Sequence, residues 1–278
     1  MNTISPSDFN YICDLVRRHS AIALESDKAY LIETRLAPLV RRAGFTSLQE
    51  LIASLRTQPP AHPLYRQVVE AITTHETSFF RDLHPFDALK TTILPELLAK
   101  RQSPNLTIWC AACSSGQEPY SVAMLVCEHF PILANRRTRI IATDLSETIL
   151  ARAREGLYSQ IEVNRGLPAA LLIKYFDKQG LHWRIKYEIR RMVEFQQSNL
   201  AESWPLMPPL DVVFMRNVLI YFDVTTKKAI LARIRSVLKP DGYLFLGSSE
   251  TTLNLDPAFE SISMGKSLCY QLRQAKTP

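Results

Sequence analysis

The sequence predicts an α/β fold preceded by an all-helical N-terminal domain, and three observations support this prediction. Apolar residues recur at helical spacing through the first 75 residues, and short apolar runs alternate with helical segments after His84. A turn of small residues follows the first of those runs. Because alternating strands and helices are typical of a parallel sheet covered on both faces, we expect a helical domain at residues 1–75 and an α/β domain at 76–278.

Four amphipathic helices are predicted in the N-terminal domain, because four segments place their apolar residues on one helix face. These segments are Phe9–Val16, Ile32–Val40, Leu48–Leu55 and Leu64–Ile72. Ser47 and Glu50 form a capping box that begins the third helix, and Pro59-Pro60 ends it. Pro38 lies inside the second segment, and an interior proline removes a helix hydrogen bond, so we expect a bend or a boundary there.

The second domain alternates strands with helices. The predicted strands are Leu106–Cys110, Thr138–Thr143, Asp211–Met215, Tyr243–Gly247 and Ser267–Leu272. The predicted helices are Ala88–Leu98, Glu118–Phe130, a helix capped by Ser146 that runs through Ala153, Pro168–Phe176, and Thr225–Leu238 with Lys239–Gly242 as its stop. The segment Leu181–Phe195 alternates apolar and polar residues and predicts a small antiparallel β-subdomain at about 177–195.

The turn after Leu106–Cys110 indicates the kind of ligand. It is rich in Ala, Cys and Ser, has Gly116 as its single glycine, and leads directly into a helix. A strand, a tight turn and a helix can present a nucleotide-sized ligand to a helix N-terminus. The glycine patterns of dinucleotide-binding and phosphate-binding loops are both missing, so the turn favours a ligand with an adenosine and no phosphate, such as S-adenosylmethionine.

Four blocks of sequence carry a family resemblance. They are His75–Asp82 (HETSFFRD), Trp109–Ser121 (WCAACSSGQEPYS), Ala142–Ser146 (ATDLS) and Arg216–Phe222 (RNVLIYF). In this order and spacing they resemble the signature blocks of the chemotaxis receptor methyltransferases, the CheR family, over about Phe9 to Leu272. The resemblance implies a Rossmann-like S-adenosylmethionine methyltransferase sheet with a small inserted antiparallel β-subdomain. It also implies methyl transfer from S-adenosylmethionine to glutamate carboxylates in the cytoplasmic methylation helices of chemoreceptors, with S-adenosylhomocysteine as product.

The resemblance also implies a set of cofactor-binding residues. The set is His75, Thr77, Arg81, Glu118, Asp144, Asn199, Leu200, Arg216 and Asn217. Asp144 ends a strand, where a carboxylate can accept from both ribose hydroxyls; alternatively it caps the helix that follows. Glu118 suits a helix N-terminus, either as a ligand of the cofactor's cationic amine or as an ordinary first-turn acid.

Arg81 and Tyr221 are the expected catalytic residues. By the resemblance they position the substrate glutamate, and a guanidinium can hold a carboxylate in a fixed fork. Alternatively, Arg81 forms a surface ion pair with Asp82, and Tyr221 is a core aromatic residue beside Phe222. A glutamate is already ionised near neutral pH, so methyl transfer to it requires no strong base, and the sequence offers no convincing catalytic triad.

Basic residues on the second helix form a candidate docking surface. Lys28, Arg35 and Arg42 are spaced by sevens, with Arg41 beside them. The spacing alone favours a solvated face, whereas the resemblance favours docking, because the family's N-terminal domain contacts the methylation helices. The loop Asp177–Gly180 is shorter than in members that bind a pentapeptide tether, which argues against such a tether here.

Composition restricts the partners and the compartment. A net charge of +6 and a pI near 9.1 indicate an acidic partner, and the dispersed Lys and Arg residues favour a Glu-rich protein over nucleic acid. No apolar run approaches the roughly 20 residues that span a bilayer, and no signal peptide is recognised, so we expect a cytoplasmic protein without membrane insertion. Because no coiled-coil heptads or repeats follow the α/β domain, we expect a monomer.

Cys110 and Cys113 form a C-x-x-C pair. The pair suits a redox site or half a zinc site, or else simple packing at a strand end. Cys127 and Cys269 do not complete a zinc site, so we expect no metal.

Other functions stay open on the sequence. The fold could methylate another signalling protein or a small molecule. The chain could also be a non-enzymatic scaffold that senses the cofactor, although Arg81 and Asp144 are both present. A nucleotide-binding oxidoreductase is disfavoured by the missing glycines.

Overall fold

The computed structural model of the protein describes residues 4–24, 29–59, 62–100, 105–134 and 137–273. The chain forms two compact units. The helical unit contains the residues up to Thr74 together with Tyr221–Thr226, and the α/β unit contains His75–Ile220 and the residues from Lys227 onward. The division at residue 75 therefore needs one correction, because a short segment from the second half of the chain belongs to the first unit.

The helical unit contains the four helices that the apolar spacing predicts. They are α1 (Pro6–Ser20), α2 (Ala29–Arg42), α3 (Leu48–Thr57) and α4 (Pro63–Ile72). The predicted apolar positions Ile12, Leu36 and Val68 are fully buried between them. The hydroxyl of Ser47 accepts from the backbone N–H of Glu50 at 3.1 Å, which confirms the predicted N-cap of α3. The Glu50 carboxylate accepts from the N–H of Thr46 at 2.7 Å, one residue before the position that a capping box requires, so the predicted box needs correction.

Pro38 does not end α2, so the expected boundary at this position is wrong. The helix runs through Pro38 to Arg42. Pro38 lies on the exposed face, and Thr34, whose carbonyl loses its helical partner, is also exposed. Water can hydrate that carbonyl, while Leu36, Leu39 and Val40 keep the other face of the helix in the core.

The segment Tyr221–Thr226 joins the helical unit through backbone and charge contacts. The N–H of Ala23 donates to the carbonyl of Tyr221 at 2.9 Å, and Ile22 and Phe222 form an antiparallel bridge. Arg17 forms an ion pair with Asp223 at 2.7 Å. The apolar periodicity of residues 1–75 does not predict this pairing, because the paired segments at Ile22 and Phe222 lie about 200 residues apart.

The α/β unit is built on a seven-stranded sheet, which confirms the predicted fold class. The strands of this sheet are β1 (Leu106–Ala111), β2 (Thr138–Asp144), β6 (Val193–Gln197), β7 (Leu210–Met215), β8 (Leu238–Leu246), β9 (Phe259–Met264) and β10 (Ser267–Leu272). The order is β6-β2-β1-β7-β8-β10-β9. The first five in that order are parallel, and β10 and β9 are antiparallel at one edge.

Helices connect the strands. They are α5 (His84–Ala88), α6 (Leu94–Lys100), α7 (Gln117–His129), α8 (Pro131–Ala134), α9 (Glu147–Glu155), α10 (Gln160–Asn164), α11 (Ala169–Tyr175), α12 (Tyr187–Arg190) and α13 (Val224–Val237). A π-helical turn at Leu89–Ile93 joins α5 to α6. Nine of the thirteen residues of α7 are buried, so this helix packs deep against the sheet directly after β1.

Two predictions about the β structure need correction. Lys239–Gly242 does not stand outside the sheet as a helix stop, because β8 begins at Leu238 and this segment bulges between the pairs Leu210–Leu238 and Val212–Tyr243. The β-subdomain does not extend to residue 195. A separate three-stranded sheet contains β3 (Leu157–Ser159), β5 (His182–Ile185) and β4 (Phe176–Gln179), while β6 is parallel to β2 in the main sheet.

Candidate functional site

Polar residues collect where four parallel strands of the α/β unit end. Strands β6, β2, β1 and β7 are neighbours, so their carboxyl ends lie along one edge of the sheet. Ala111 pairs with Thr143 and Asp144 pairs with Gln197 at that edge. Three of the four signature blocks lie at these strand ends, which is where open parallel sheets bind ligands.

Asp144 is the buried carboxylate of this edge. It is 5% exposed, and its two oxygens accept from the backbone N–H groups of Ser114 at 2.8 Å and Ser146 at 3.0 Å. The hydroxyl of Ser146, not the carboxylate, caps α9 by accepting from Ile149, so the interpretation of Asp144 as a helix cap is wrong. Burial raises the pKa of Asp144, while the N–H donors and the charge of His75 oppose that rise.

The turn after β1 has an unusual backbone. Ala112 and Ser114 have φ values of 52° and 51°, and Gly116 has 91°. A Cβ on Gly116 would lie 3.1 Å from the Cβ of Ala153 and 3.2 Å from the Tyr120 ring, so the position requires glycine for space as well as for conformation. Left-handed alanine and serine are strained, and such strain concentrates at ligand sites.

The block His75–Asp82 lies beside this turn. The hydroxyl of Ser114 donates to the carbonyl of His75 at 2.7 Å, and Phe80 N–H donates to the Ser121 hydroxyl at 2.9 Å. Phe80, Asp82 and the following Leu83 all have left-handed backbones. Thr77 is half-buried between the two ends of the block.

Arg81 does not form the ion pair with Asp82 that the sequence suggested as an alternative role. Its Nη1 donates to the carbonyl of Glu76 at 3.2 Å, and its side chain is half-buried. The Asp82 carboxylate is instead bonded to Arg216 at 2.6 Å. The charge of Arg81 also lowers the pKa of Glu118, so its guanidinium acts on the site electrostatically.

Arg216 is the centre of a buried charge cluster. Its side chain is 1% exposed, and it donates from Nη1 to Glu118 at 2.9 Å and from Nη2 to Asp82 at 2.6 Å. Nη2 also donates to the carbonyl of Arg81 at 2.9 Å. The cluster therefore joins the end of β7, the first turn of α7 and the block His75–Asp82.

Burial destabilises the ionised form of Glu118 despite its ion pair with Arg216. Burial raises its pKa above the ordinary value, and the charge and hydrogen bond of Arg216 oppose the rise without cancelling it. The first turn of α7 also favours a negative charge at this position. A further cation placed beside Glu118 would stabilise its ionised form.

Asn199 and Leu200 occupy the loop after β6. The Asn199 side chain donates to Glu202 at 2.9 Å and accepts from Ala201 N–H, while Leu200 is buried. Arg233 of α13 donates to the carbonyls of Leu200, Ala201 and Glu202 and fixes the loop from behind. Sequence reasoning gave no role to Arg233, because its partners are backbone atoms.

Glu250 is a second residue that the sequence reasoning missed. It is 8% exposed and accepts from backbone N–H groups at the end of β7, including Asn217 at 2.8 Å. Asn217 itself has a left-handed backbone with φ of 58°. The signal that identified Asp144, a polar residue just beyond a strand end, also applies to Glu250 after β8.

A cavity of about 260 Å³ adjoins this cluster. Its lining includes Asp82, Arg216, Glu250, Lys266 and Tyr270. Of the sequence-predicted site residues, Arg216 alone contributes to its walls. The cavity therefore adjoins the ends of β7 and β8, and Asp144 is not part of its lining.

The predicted docking residues divide in the structure. Lys28 lies outside the described residues. Arg35 is half-buried and donates to the carbonyl of Ile72 and to the Thr74 hydroxyl at the end of α4, so its guanidinium is engaged within the helical unit and its docking role stays a prediction. Arg41 and Arg42 are exposed in the last turn of α2.

Tyr221 and the cysteines are also located. Tyr221 ends a 3-10 turn, belongs to the helical unit and is partly exposed. Cys110 and Cys113 are free and buried, and burial raises the pKa of both thiols well above the ordinary value. Neutral buried thiols fit the packing interpretation of the C-x-x-C pair.

The orphaned polar atoms at this edge of the sheet suit a bound nucleoside. Within the residues that the structure describes, four buried side-chain atoms find no hydrogen-bond partner, and two of them are Ser198 Oγ and Arg216 Nε. Ser198 directly precedes the predicted pair Asn199-Leu200, and Arg216 belongs to the predicted pair Arg216-Asn217. Together with the Asp144 carboxylate they are polar groups that could bond to a nucleoside ligand.

Comparisons with known proteins decide the family. Residues 75–268 match the family described as "CheR methyltransferase, SAM binding domain", and residues 7–73 match "CheR methyltransferase, all-alpha domain". The chain belongs to the CheR methyltransferase family. The resemblance seen in the sequence is thereby confirmed, and this chain is a methyltransferase whose cofactor is S-adenosylmethionine.

Two curated relatives match nearly the whole of this chain. One is chemotaxis protein methyltransferase Cher2 of Pseudomonas putida, 40% identical over 270 residues that cover 96% of this chain and 98% of that one. The other is chemotaxis protein methyltransferase 1 of Pseudomonas aeruginosa, 41% identical with the same coverage of both chains. A solved magnesium protoporphyrin IX methyltransferase from Synechocystis with bound SAM gives a TM-score of 0.40 at 15% identity, over 73% of this chain and 87% of that chain. That similarity is too low to add to the argument.

No helix within the described part of the chain is both long and apolar enough to cross a membrane.

Proposed function

We propose that this chain methylates the side-chain carboxylates of specific glutamates in the cytoplasmic helices of chemoreceptors. The products are glutamate methyl esters and S-adenosylhomocysteine, and the reaction serves adaptation in bacterial chemotaxis. Support comes from membership of the family over both units and from relatives that are named as chemotaxis protein methyltransferases.

One observation carries the assignment of the site. The buried carboxylate of Asp144 is held by Ser114 N–H of the strained turn after β1, so a ribose anchor and a close-approach turn lie side by side. A carboxylate with oriented oxygens can accept from a vicinal diol. The Asp144 carboxylate is negatively charged and would repel phosphate groups. The arrangement therefore fits an adenosine better than a phosphate-rich ligand.

The remaining groups hold the rest of the cofactor. Glu118 would accept from the cationic methionyl amine, which relieves its unfavourable burial, and the charge of Arg216 favours the ionised form of Glu118. Asn199 and Leu200 would line the adenine side, and Asn217 would close the site after β7. His75 and Thr77 would complete the wall opposite the turn after β1.

The acceptor requires orientation rather than activation. When bound, S-adenosylmethionine supplies the electrophilic methyl group. A glutamate carboxylate is ionised near neutral pH, so the protein needs to align it and exclude water. Arg81 is the group proposed to hold that carboxylate, with Tyr221 as the proposed second positioning residue. Arg41 and Arg42 are proposed to attract the acidic surface of the receptor helices.

The test is calorimetric titration of the wild type and the Asp144→Ala variant with S-adenosylhomocysteine. Micromolar binding, about −8 kcal/mol, is expected for the wild type and is expected to disappear in the variant. Methylation of purified receptor cytoplasmic domains, with glutamate methyl esters located by mass spectrometry, then tests the acceptor. Wild-type binding without receptor methyl esters would leave the cofactor site in place and refute the proposed substrate.

A further inference from the structure

Glu250 is bound from four directions by the backbone of the α/β unit. Its Oε2 accepts from the N–H groups of Gly247 at 2.6 Å and Asn217 at 2.8 Å. Its Oε1 accepts from Val218 at 2.8 Å and Ile220 at 3.2 Å. Three of these four donors belong to the loop after β7, which begins with Arg216.

These donors form a concavity that is suited to an anion. Asn217 has a left-handed backbone, and it points its own N–H and that of Val218 at the same carboxylate. Successive N–H groups in such a conformation usually hold a ligand anion. Here a side chain of the protein occupies the concavity, and a carboxylate has about four acceptor positions, so the four donors saturate it.

Gly247 permits this close approach. A Cβ at this position would lie 2.7 Å from both Asn217 Nδ2 and Glu250 Oε2, and 2.9 Å from the Asn217 backbone nitrogen. No side chain fits at those distances. The loops after β7 and β8 are therefore in direct contact, and the Glu250 carboxylate is the bond between them.

We propose that Glu250 is a positioning residue for the cofactor site. It acts through the backbone, because it holds Asn217 in its left-handed conformation and thereby fixes the direction in which Arg216 and Asn217 leave the end of β7. Its own oxygens are saturated and do not contact the cofactor. The inference rests on the proposed function, in which Arg216 supports Glu118 and Asn217 closes the cofactor site after β7.

Glu250→Gln is the discriminating variant. Glutamine keeps the length of the side chain but replaces one oxygen by an NH2 group, which then faces N–H donors. The dissociation constant for S-adenosylhomocysteine should rise about 10- to 100-fold, as expected for the loss of charged hydrogen bonds. The KM for S-adenosylmethionine should rise with it, while the KM for the receptor substrate should stay constant.

Asp211→Asn is the matched control. Asp211 lies at the opposite end of β7, is fully buried, and accepts from Thr107 N–H and from Lys239 Nζ, both at 2.7 Å. This variant should lower the thermal midpoint of the α/β unit and leave cofactor affinity unchanged at temperatures where it is folded. Hydrogen exchange should accelerate at Asn217, Val218 and Ile220 in Glu250→Gln and not in Asp211→Asn.

The outcomes separate the inference from the proposed site. Wild-type affinity in Glu250→Gln overturns the positioning role alone. Equal losses in Glu250→Gln and Asp211→Asn also overturn it, because the loss then reflects general instability. Failure of the wild type to bind S-adenosylhomocysteine overturns the proposed cofactor site and the positioning role together.

Discussion

Replacing Arg216 by methionine tests the buried charge cluster. The guanidinium is 1% exposed and Glu118 is 12% exposed, so the substitution leaves a buried carboxylate without its cation. Removing one partner of such a pair costs about 3–5 kcal/mol. Asp82, which is 48% exposed, adds at most about 1 kcal/mol. We therefore expect the free energy of unfolding of the α/β unit to fall by about 3–5 kcal/mol at roughly pH 8.

The loss should depend on pH in a defined direction. Arg216 opposes the rise in the pKa of Glu118, so its removal raises that pKa further. A carboxyl group whose pKa is higher in the folded state than in the unfolded state binds its proton more tightly when folded, and stability then falls as pH rises through the folded pKa. The deficit of Arg216→Met should accordingly be smaller near pH 5 than near pH 8.

Urea denaturation followed by tryptophan fluorescence measures this effect. The chain has three tryptophans, Trp109, Trp183 and Trp204, and all lie in the α/β unit. Arg139→Met is the matched control, because its ion pair with Glu194 is about half exposed on both sides and should lose under about 1 kcal/mol. A pH-independent loss in Arg216→Met, or a Glu118→Gln/Arg216→Met double variant no more stable than the single one, would refute the reasoning.

Three further predictions follow from individual contacts. Arg42→Glu should weaken receptor methylation and leave cofactor affinity unchanged. Arg35→Glu should instead lower the thermal midpoint of the helical unit, because Arg35 bonds the end of α4. Calorimetry and methylation assays on both variants check the difference. Gly247→Ala should weaken S-adenosylhomocysteine binding at least about tenfold, since its Cβ would lie 2.7 Å from two side-chain atoms, and unchanged affinity would show that the two loops separate freely. Wild-type affinity should fall as pH falls through the raised pKa of Asp144, because a protonated carboxyl loses acceptor capacity, and a titration that is flat with pH would contradict the ribose role.

The sequence predicts the strand ends well and the partners at those ends poorly. Asp144 could be found because it directly follows an apolar run, which is a local pattern. The partners of Arg216 could not, since Glu118 and Asp82 lie 98 and 134 residues away along the chain. The spacing of seven residues likewise predicted Arg35 on an outer face, but a long arginine side chain can fold back and bond a neighbouring helix.

Family resemblance supplied what periodicity could not. It pointed to Arg216 and Asn217 without explaining what holds them, because the explanation lies in Glu250, which bonds only backbone atoms. Backbone donors carry no side-chain signature. A carboxylate that accepts from backbone N–H groups therefore cannot be predicted from the spacing of motifs. It is recognised only in the structure, where the ends of β7 and β8 lie side by side.

The segment Tyr221–Thr226 has a consequence for synthesis of the chain. The helical unit takes up this segment, yet about 150 residues separate it from Thr74. At about 5–20 residues per second, the ribosome delivers the missing piece roughly 8 to 30 seconds after the four helices have emerged. Until then, the edge at Ile22 and Ala23 waits without its bridge partner. The first unit to be made is thus completed only when most of the second has been translated.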